Sequence, residues 1–266
     1  MNAPSIPSVS YCTLAKNRRW QLELTLEANL CYLQGHSAEL VVLDWESTDG
    51  LRDWILKRFE PELHKGILKY RHCHSRASFN INIGKNFAHR LGTGRVLFNL
   101  DADNFAEGTF STLRDLSEDA VLGCKEFLRG TYGRIGMYRT KFMSLGGYDE
   151  CFLPVGHGDM DLLARAVASG LRYVNLPAAR PAIPNKKSET IRFCDTSMSW
   201  KAMERSNAKR SQQNLRRRIL TANKLGWFEA IIKDHDENVF YLGRGHRLSA
   251  VPILDPKARS RGVSEK

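Results

Sequence analysis

The chain has 266 residues, 40 Lys and Arg against 29 Asp and Glu, and a formal net charge of +11. That length supports one large core, or a core with an appendage. No apolar run approaches the ~18 residues that span a bilayer, and the start, "MNAPSIPSVSYC", lacks the basic-then-apolar order of a secretory leader, so a cytoplasmic protein is expected. The charge calls for an anionic partner: nucleic acid, a lipid surface, or a phosphorylated or acidic substrate. The six cysteines, Cys12, Cys31, Cys73, Cys124, Cys151 and Cys194, form no CxxC pair and read as reduced thiols. His72 and His74 flank Cys73, but a strand turns Cys73 to the other face, which argues against a metal site there.

In chain order, "SVSYCTL" (8–14) reads as a strand, and 17–33 as a helix carrying Trp20, Leu22, Leu24, Leu26, Leu30 and Leu33. "AELVVLD" (38–44) is a strand buried on both faces. Residues 47–59 form a helix, with capping oxygens on Ser47, Thr48 and Asp49 and a stripe of Leu51, Trp54, Ile55 and Phe59. A strand at 66–72, a short helix at 82–92 and a strand at 95–101 follow. This β-α-β-α-β-α-β order predicts an α/β fold with a mainly parallel sheet and helices on both faces. Ligands bind such sheets beyond the carboxyl ends of the strands, where Asp44 and Asp101 stand. Further on, 121–127 and part of 132–150 read as strands, the latter with a short helix closed by Gly146 and Gly147. Residues 159–171 are a helix and 172–177 a last strand. Composition shifts at Trp200. Residues 201–234 read as a strongly basic helical region, and the end, "DPKARSRGVSEK", as a flexible tail. The expected division is a main domain over 1–200 and a basic helical extension over 201–266.

The strand at 95–101 runs into Asp101-Ala102-Asp103-Asn104. A calcium loop would need glycine at its sixth position and glutamate at its twelfth; here they are Ala106 and Thr112. A phosphatase of the haloacid dehalogenase type places its acid pair after the first strand, with threonine or valine where this chain has Phe105. A divalent cation held against a nucleotide diphosphate fits, because magnesium and manganese bind through one or two carboxylates plus substrate phosphates. "DADN" is also a good turn sequence in its own right.

Three blocks add context: "VVLDWESTDGLRDWI", "GKNFAHRLGTGRVLFNLDADNF" and "LGGYDECFLPVGHGDMDLLARAVASGLRYVNLP". In order and spacing they resemble the GT-A glycosyltransferases over roughly residues 8 to 180, family-2-like at first and galactosyltransferase-type in the last block. The resemblance implies the GT-A nucleotide-diphospho-sugar transferase fold. It implies transfer of a hexose from a nucleotide-sugar, expected to be a UDP-sugar, to a carbohydrate or lipid-linked acceptor in surface polysaccharide assembly, expected to be inverting. Asp101 and Asp103 would hold Mn2+ or Mg2+ on the donor diphosphate. Asp44 would take the uracil N3–H, Thr13 would lie near base or ribose, and Lys85, Asn86 and Arg76 would approach the nucleotide. Asp159 would be the catalytic base. Asp161 and Arg165 would meet the acceptor, or Asp161 would tie down Arg165 one helical turn on. The family has Glu-Asp where this chain has Gly158-Asp159, so one carboxylate is missing. A third metal ligand, His235 or His246, is left open.

The cluster Lys209, Arg210, Arg216, Arg217 and Arg218 suits an anionic membrane, in peripheral contact at its inner face, a lipid-linked acceptor, or plain solvation. Nucleic acid is disfavoured, since no reading motif or interleaved aromatic series is present. Two alternatives stand beside the transferase. A nucleotidyltransferase would want a glycine in "TLAKNRR", which has none. A basic binding module that keeps the fold without turnover would explain Gly158.

Overall fold

β1 (Val9–Ala15) carries no charged residue and is buried along nearly its whole length, as a strand covered on both faces must be. In the computed structural model, which describes residues 7–124, 130–176, 180–245 and 248–250, it lies inside a ten-stranded sheet. α1 (Arg19–Leu33), β2 (Ala38–Trp45), α2 (Leu51–Arg58), α3 (Glu60–His64), β3 (Leu68–His74), α4 (Ile81–Leu91) and β4 (Val96–Asn99) follow. Strands β3, β2, β1 and β4 are neighbours and parallel, so the expected alternation of strand and helix forms the centre of the sheet.

Past β4 come α5 (Phe110–Arg114), β5 (Ala120–Gly123), β6 (Gly136–Tyr138), α6 (Arg139–Ser144), α7 (Gly158–Ala168) and β7 (Arg172–Asn175). β6 inserts antiparallel between β4 and β5, and β7 runs parallel to β5. The chain then returns through α8 (Lys187–Ile191) and α9 (Trp200–Arg216) to β8 (Ala230–Lys233), β9 (Val239–Leu242) and β10 (Leu248–Ala250). β8 pairs antiparallel with β3, giving the order β10-β9-β8-β3-β2-β1-β4-β6-β5-β7.

The helix expected over 201–234 therefore stops at Arg216. Arg218 and Asn223 adopt positive φ, which breaks it, and Ala230, Ile231 and Ile232 alternate buried, exposed, buried, the period of a strand. The strand expected over 95–101 ends at Asn99, where the backbone turns so that Asn104 N–H donates to the Asp101 carbonyl at 2.8 Å. Of the strand expected over 121–127, β5 covers the start, and residues 125–129 lie outside the described residues, as does the tail from 251.

Two apolar layers sandwich the sheet. One packs Leu22, Leu26, Leu30, Ile55 and Leu113 against Val42, Tyr70 and Phe98. The other packs Phe87, Phe142, Leu162 and Trp227 against Cys12, Val41 and Leu97. The expected caps on the second helix do other work. α2 starts after Gly50, which is in the left-handed conformation. Asp49 accepts from Leu51 N–H at 3.2 Å with one oxygen and from Arg19 N–H, at the start of α1, at 2.9 Å with the other. Ser47 accepts from Asn17 N–H at 2.8 Å. The two strand-to-helix turns beside the sheet's carboxyl edge are thus sewn together.

Candidate active site

The turn carrying Asp101 and Asp103 is held by polar residues that a sequence reading takes for helix surface. On α1, Trp20 and Leu24 are largely exposed, while Thr25 and Asn29 are buried. The Thr25 hydroxyl donates to the Ala102 carbonyl at 2.8 Å. The Asn29 amide donates to the Asn104 carbonyl at 3.0 Å and accepts from Ala106 N–H at 2.7 Å. The buried Arg134 guanidinium donates to Asn104 Oδ1 at 2.6 Å, and the Asn104 amide donates in turn to Asp103 at 2.6 Å. Asn99 donates to Asp101 Oδ1 at 3.0 Å. Such satisfied partners fix both carboxylates before any ligand arrives.

Lys85, from the middle of α4, joins this turn to α7. Its ammonium lies 3.2 Å from Asp101 Oδ1 and 2.8 Å from Asp159 Oδ1. Lys85 is 6% exposed, Asp101 32% and Asp159 30%, so the lysine forms the floor and the carboxylates face the opening. Burial pulls the Lys85 ammonium toward the neutral form, but the two carboxylates outweigh it and hold its pKa well above the ordinary lysine value. Burial raises Asp101 as well, and Lys85 with the Asn99 amide more than reverses that, leaving it below the usual carboxylate range. Asp103 has no such cation in contact. Burial, then the Asp101 charge, push it up to about 6.

These groups line a cleft of about 790 Å³ at the carboxyl edge of β1 and β4, within the range of small-ligand sites. The cleft also takes in Lys16 and Arg18 after β1, Gln21 of α1, Tyr132, His157, and Trp200 and Glu204 of α9. A segment from residue 183 to 193 hangs over it. Ile183 N–H donates to the Asp103 carbonyl at 2.8 Å, and Arg18 reaches Thr190 at 3.0 Å and Asn185 at 3.4 Å. Of these cleft residues the sequence signals only the basic "TLAKNRR" run; Trp200 and Glu204 flank the expected boundary between main domain and extension.

Asp101, Asp103, Lys85 and Asp159 are brought together. The other expected site residues are not. Asp44 is fully buried, accepting from the Tyr70 hydroxyl at 2.6 Å and from Ser47 N–H at 2.9 Å. The Thr13 hydroxyl donates to the Leu100 carbonyl at 2.6 Å, beneath the cleft floor. Asn86 faces away: its amide donates to the Tyr148 carbonyl and to Glu150, both at 2.9 Å, and accepts from Tyr148 N–H at 2.8 Å. Arg76 lines a different cavity, with Trp227 and Arg244. Asp161 and Arg165 take the intrahelical alternative. They pair at 2.7 Å, both essentially buried, and Arg165 donates to the Leu145 and Gly147 carbonyls. His235 sits beside His64 and Asp236, away from the cleft, and His246 lies outside the described residues.

Two glycines shape the cleft by what they lack. A Cβ on Gly133 would overlap Asp101 Oδ2, and a Cβ on Gly158 would overlap Asn82 Oδ1. Gly133 leaves one Asp101 oxygen open. Asn82, which lines the cleft, takes up the room that a glutamate at 158 would need. The donor set fits a divalent cation. Two neighbouring carboxylates, one with an open oxygen and one with its pKa raised by burial and then by the other's charge, form a site where positive charge is favoured. Among the described residues no group of three or more His, Cys, Asp or Glu surrounds a metal position.

The sheet order, the acidic turn after β4 and the cleft above it define a GT-A nucleotide-diphospho-sugar transferase fold. Solved structures agree. A mannosyltransferase from Pyrobaculum calidifontis, in complex with GDP-Man and Mn2+, matches with a TM-score of 0.55 at 17% identity, over 80% of this chain and 70% of that one. A Drosophila β1,4-galactosyltransferase 7 variant with manganese, UDP-Gal and xylobiose matches at 0.52 and 14% identity, over 75% and 80%. S. aureus TarS in complex with UDP matches at 0.50 and 16%, over 79% and 72%. No protein-family model and no curated protein matches the chain. At these identities the likeness is one of fold, and the chain has the glycosyltransferase GT-A fold.

Proposed function

We propose that the protein transfers a hexose from a nucleotide-sugar, a UDP-sugar, to a carbohydrate or lipid-linked acceptor in surface polysaccharide assembly. The observation that carries this reading is the convergence of Asp101, Asp103 and Asp159 on one cleft, with Lys85 between them. The UDP assignment is supported by the fold-mates solved with UDP and UDP-Gal; a third holds GDP-Man.

Asp101 and Asp103 would hold Mn2+ or Mg2+, which offsets the charge that grows on a departing diphosphate. The chain's own groups do the rest. Lys85 places a fixed positive charge at the floor, facing the carboxylate-rich mouth. Asp159 stands in the first turn of α7, facing the cleft. It would take the proton of the acceptor hydroxyl as that oxygen attacks the anomeric carbon. A base working opposite the leaving group gives inversion. Asn82 in place of a second carboxylate leaves the acceptor side with an uncharged amide.

The test is a panel of nucleotide-sugars with the full chain and Mn2+, following release of the nucleoside diphosphate. The parent releases UDP. Asp159→Asn keeps the shape and the helix-start position but not the basicity, so kcat falls by ~10²–10⁴ while Mn2+-dependent UDP binding stays near parental. Turnover by Asp159→Asn within a few-fold of the parent would remove the base. Failure of the parent to bind or turn over any nucleotide-sugar with Mn2+ would remove the reading itself.

A further inference from the structure

The positive charge of this chain is not evenly spread. Residues 201–224 carry eight Lys and Arg against one acid, Glu204. Within that stretch Arg210 pairs with Asp149. Arg216, Arg217, Arg218 and Lys224 are exposed, and among the described residues no carboxylate forms an ion pair with any of them. Interleaved with these four cations are apolar side chains in water. Leu225 is 96% exposed, and Ile219 and Phe228 are 38% and 45% exposed.

The loop that presents them is anchored. Ala222 N–H donates to the Leu145 carbonyl at 2.9 Å, and the Asn223 amide donates to the Gly146 and Tyr148 carbonyls, each at 2.7 Å. Gly226 N–H closes a turn on the Asn223 carbonyl at 3.0 Å, and Phe228 N–H donates to Glu150 at 2.7 Å. The Leu225 side chain stands at the tip of that turn and cannot fold back into the core without breaking these bonds. Single exposed apolar residues are ordinary. A fully exposed leucine on an anchored tip, flanked by four unpaired cations, is a surface for a partner that is anionic at its face and apolar just beneath it.

We infer that the end of α9 and the loop after it dock the protein on an anionic lipid bilayer, with Leu225 entering the acyl region and Arg216, Arg217, Arg218 and Lys224 on the headgroup phosphates. A nucleic acid would satisfy the cations but offers nothing to an aliphatic tip, so Leu225 selects the bilayer. The inference stands apart from the transfer reaction. The patch begins at the far end of α9, about 24 Å along the helix from Trp200 and about 18 Å from Glu204, so a bilayer can be held there with the cleft open to solvent.

The experiment is co-sedimentation of the full chain with vesicles of phosphatidylcholine alone and of phosphatidylcholine and phosphatidylglycerol in three-to-one ratio. Each basic residue at an anionic leaflet strengthens partitioning about fivefold. The parent is expected to sediment with the mixed vesicles and not with phosphatidylcholine. Leu225→Glu and Arg217→Glu should each bind at least about tenfold more weakly, with unchanged thermal midpoints, since neither side chain makes a contact that folding needs. The inference is overturned if the parent ignores the mixed vesicles, or if Leu225→Glu binds them as the parent does. It is also overturned if a homopolymeric RNA binds parent and Leu225→Glu equally and strips both from the vesicles.

Discussion

Lys85 does two things with one charge: it pairs with Asp101, on the turn after β4, and with Asp159, on α7. Replacing it by Met keeps the length and removes the cation, leaving two carboxylates opposed across the floor. The expected loss is about 1–3 kcal/mol of unfolding free energy, below a fully buried pair because both acids are a third exposed. Mn2+ should restore part of it; urea unfolding with and without the ion reads both effects. Asp103 carries the opposite imbalance. Its pKa of about 6 lies above that of an unfolded aspartate, so the native state holds its proton where the unfolded chain has lost it. In the metal-free protein that group's contribution to stability is fully present below about pH 4, the unfolded value, and is lost as pH rises through about 6. Asp103→Asn should therefore raise the thermal midpoint of the metal-free protein at pH 8 more than at pH 5. An equal shift at both pH values would show that the raised pKa is not there.

At the scale of elements, the sequence reveals strands β1 to β4, α4 and the acidic turn because apolar runs and period-3.6 stripes are local signals. What escapes it is pairing at long range. Asn86 reads as a nucleotide contact because it follows Lys85 on a matching motif, yet its partners Tyr148 and Glu150 stand on another element and turn it inward. Asp44 ends its strand as expected, but Tyr70 on the adjacent strand claims one of its oxygens. Thr25 and Asn29 look like interruptions of an apolar stripe, and they are the side chains that seat the acidic turn. Gly158 has the same origin: its missing side chain is explained by Asn82, one helix away. Gly158→Glu should thus cost about 1–3 kcal/mol through overpacking. The double variant with Asn82→Ala should recover most of that in a thermal-shift measurement, and an additive double variant would disprove the contact.

For the whole molecule, the short strands β8 to β10 matter more than their length suggests. They are illegible in a stretch dominated by basic residues, and they extend the sheet beyond β3. Truncation after residue 229 should leave β3 as an open edge, exposing Cys73 and Trp227's layer to solvent. The truncated chain is expected to be recovered largely as aggregate, by size-exclusion chromatography, where the full chain elutes as a discrete species.

That closing pair of β3 with β8 joins residues 72–74 to residues 231–233. On a ribosome the four parallel strands β1 to β4 emerge well before β8, the strand that seals their flank. Until β8 is made, the nascent chain carries a sticky β edge at β3 without its native cover. Its yield in a cell will depend on how fast the stretch between β3 and β8 is translated and on what shields β3 meanwhile: slow codons between residues 75 and 230 should lower soluble protein, and the same codons after residue 233 should not.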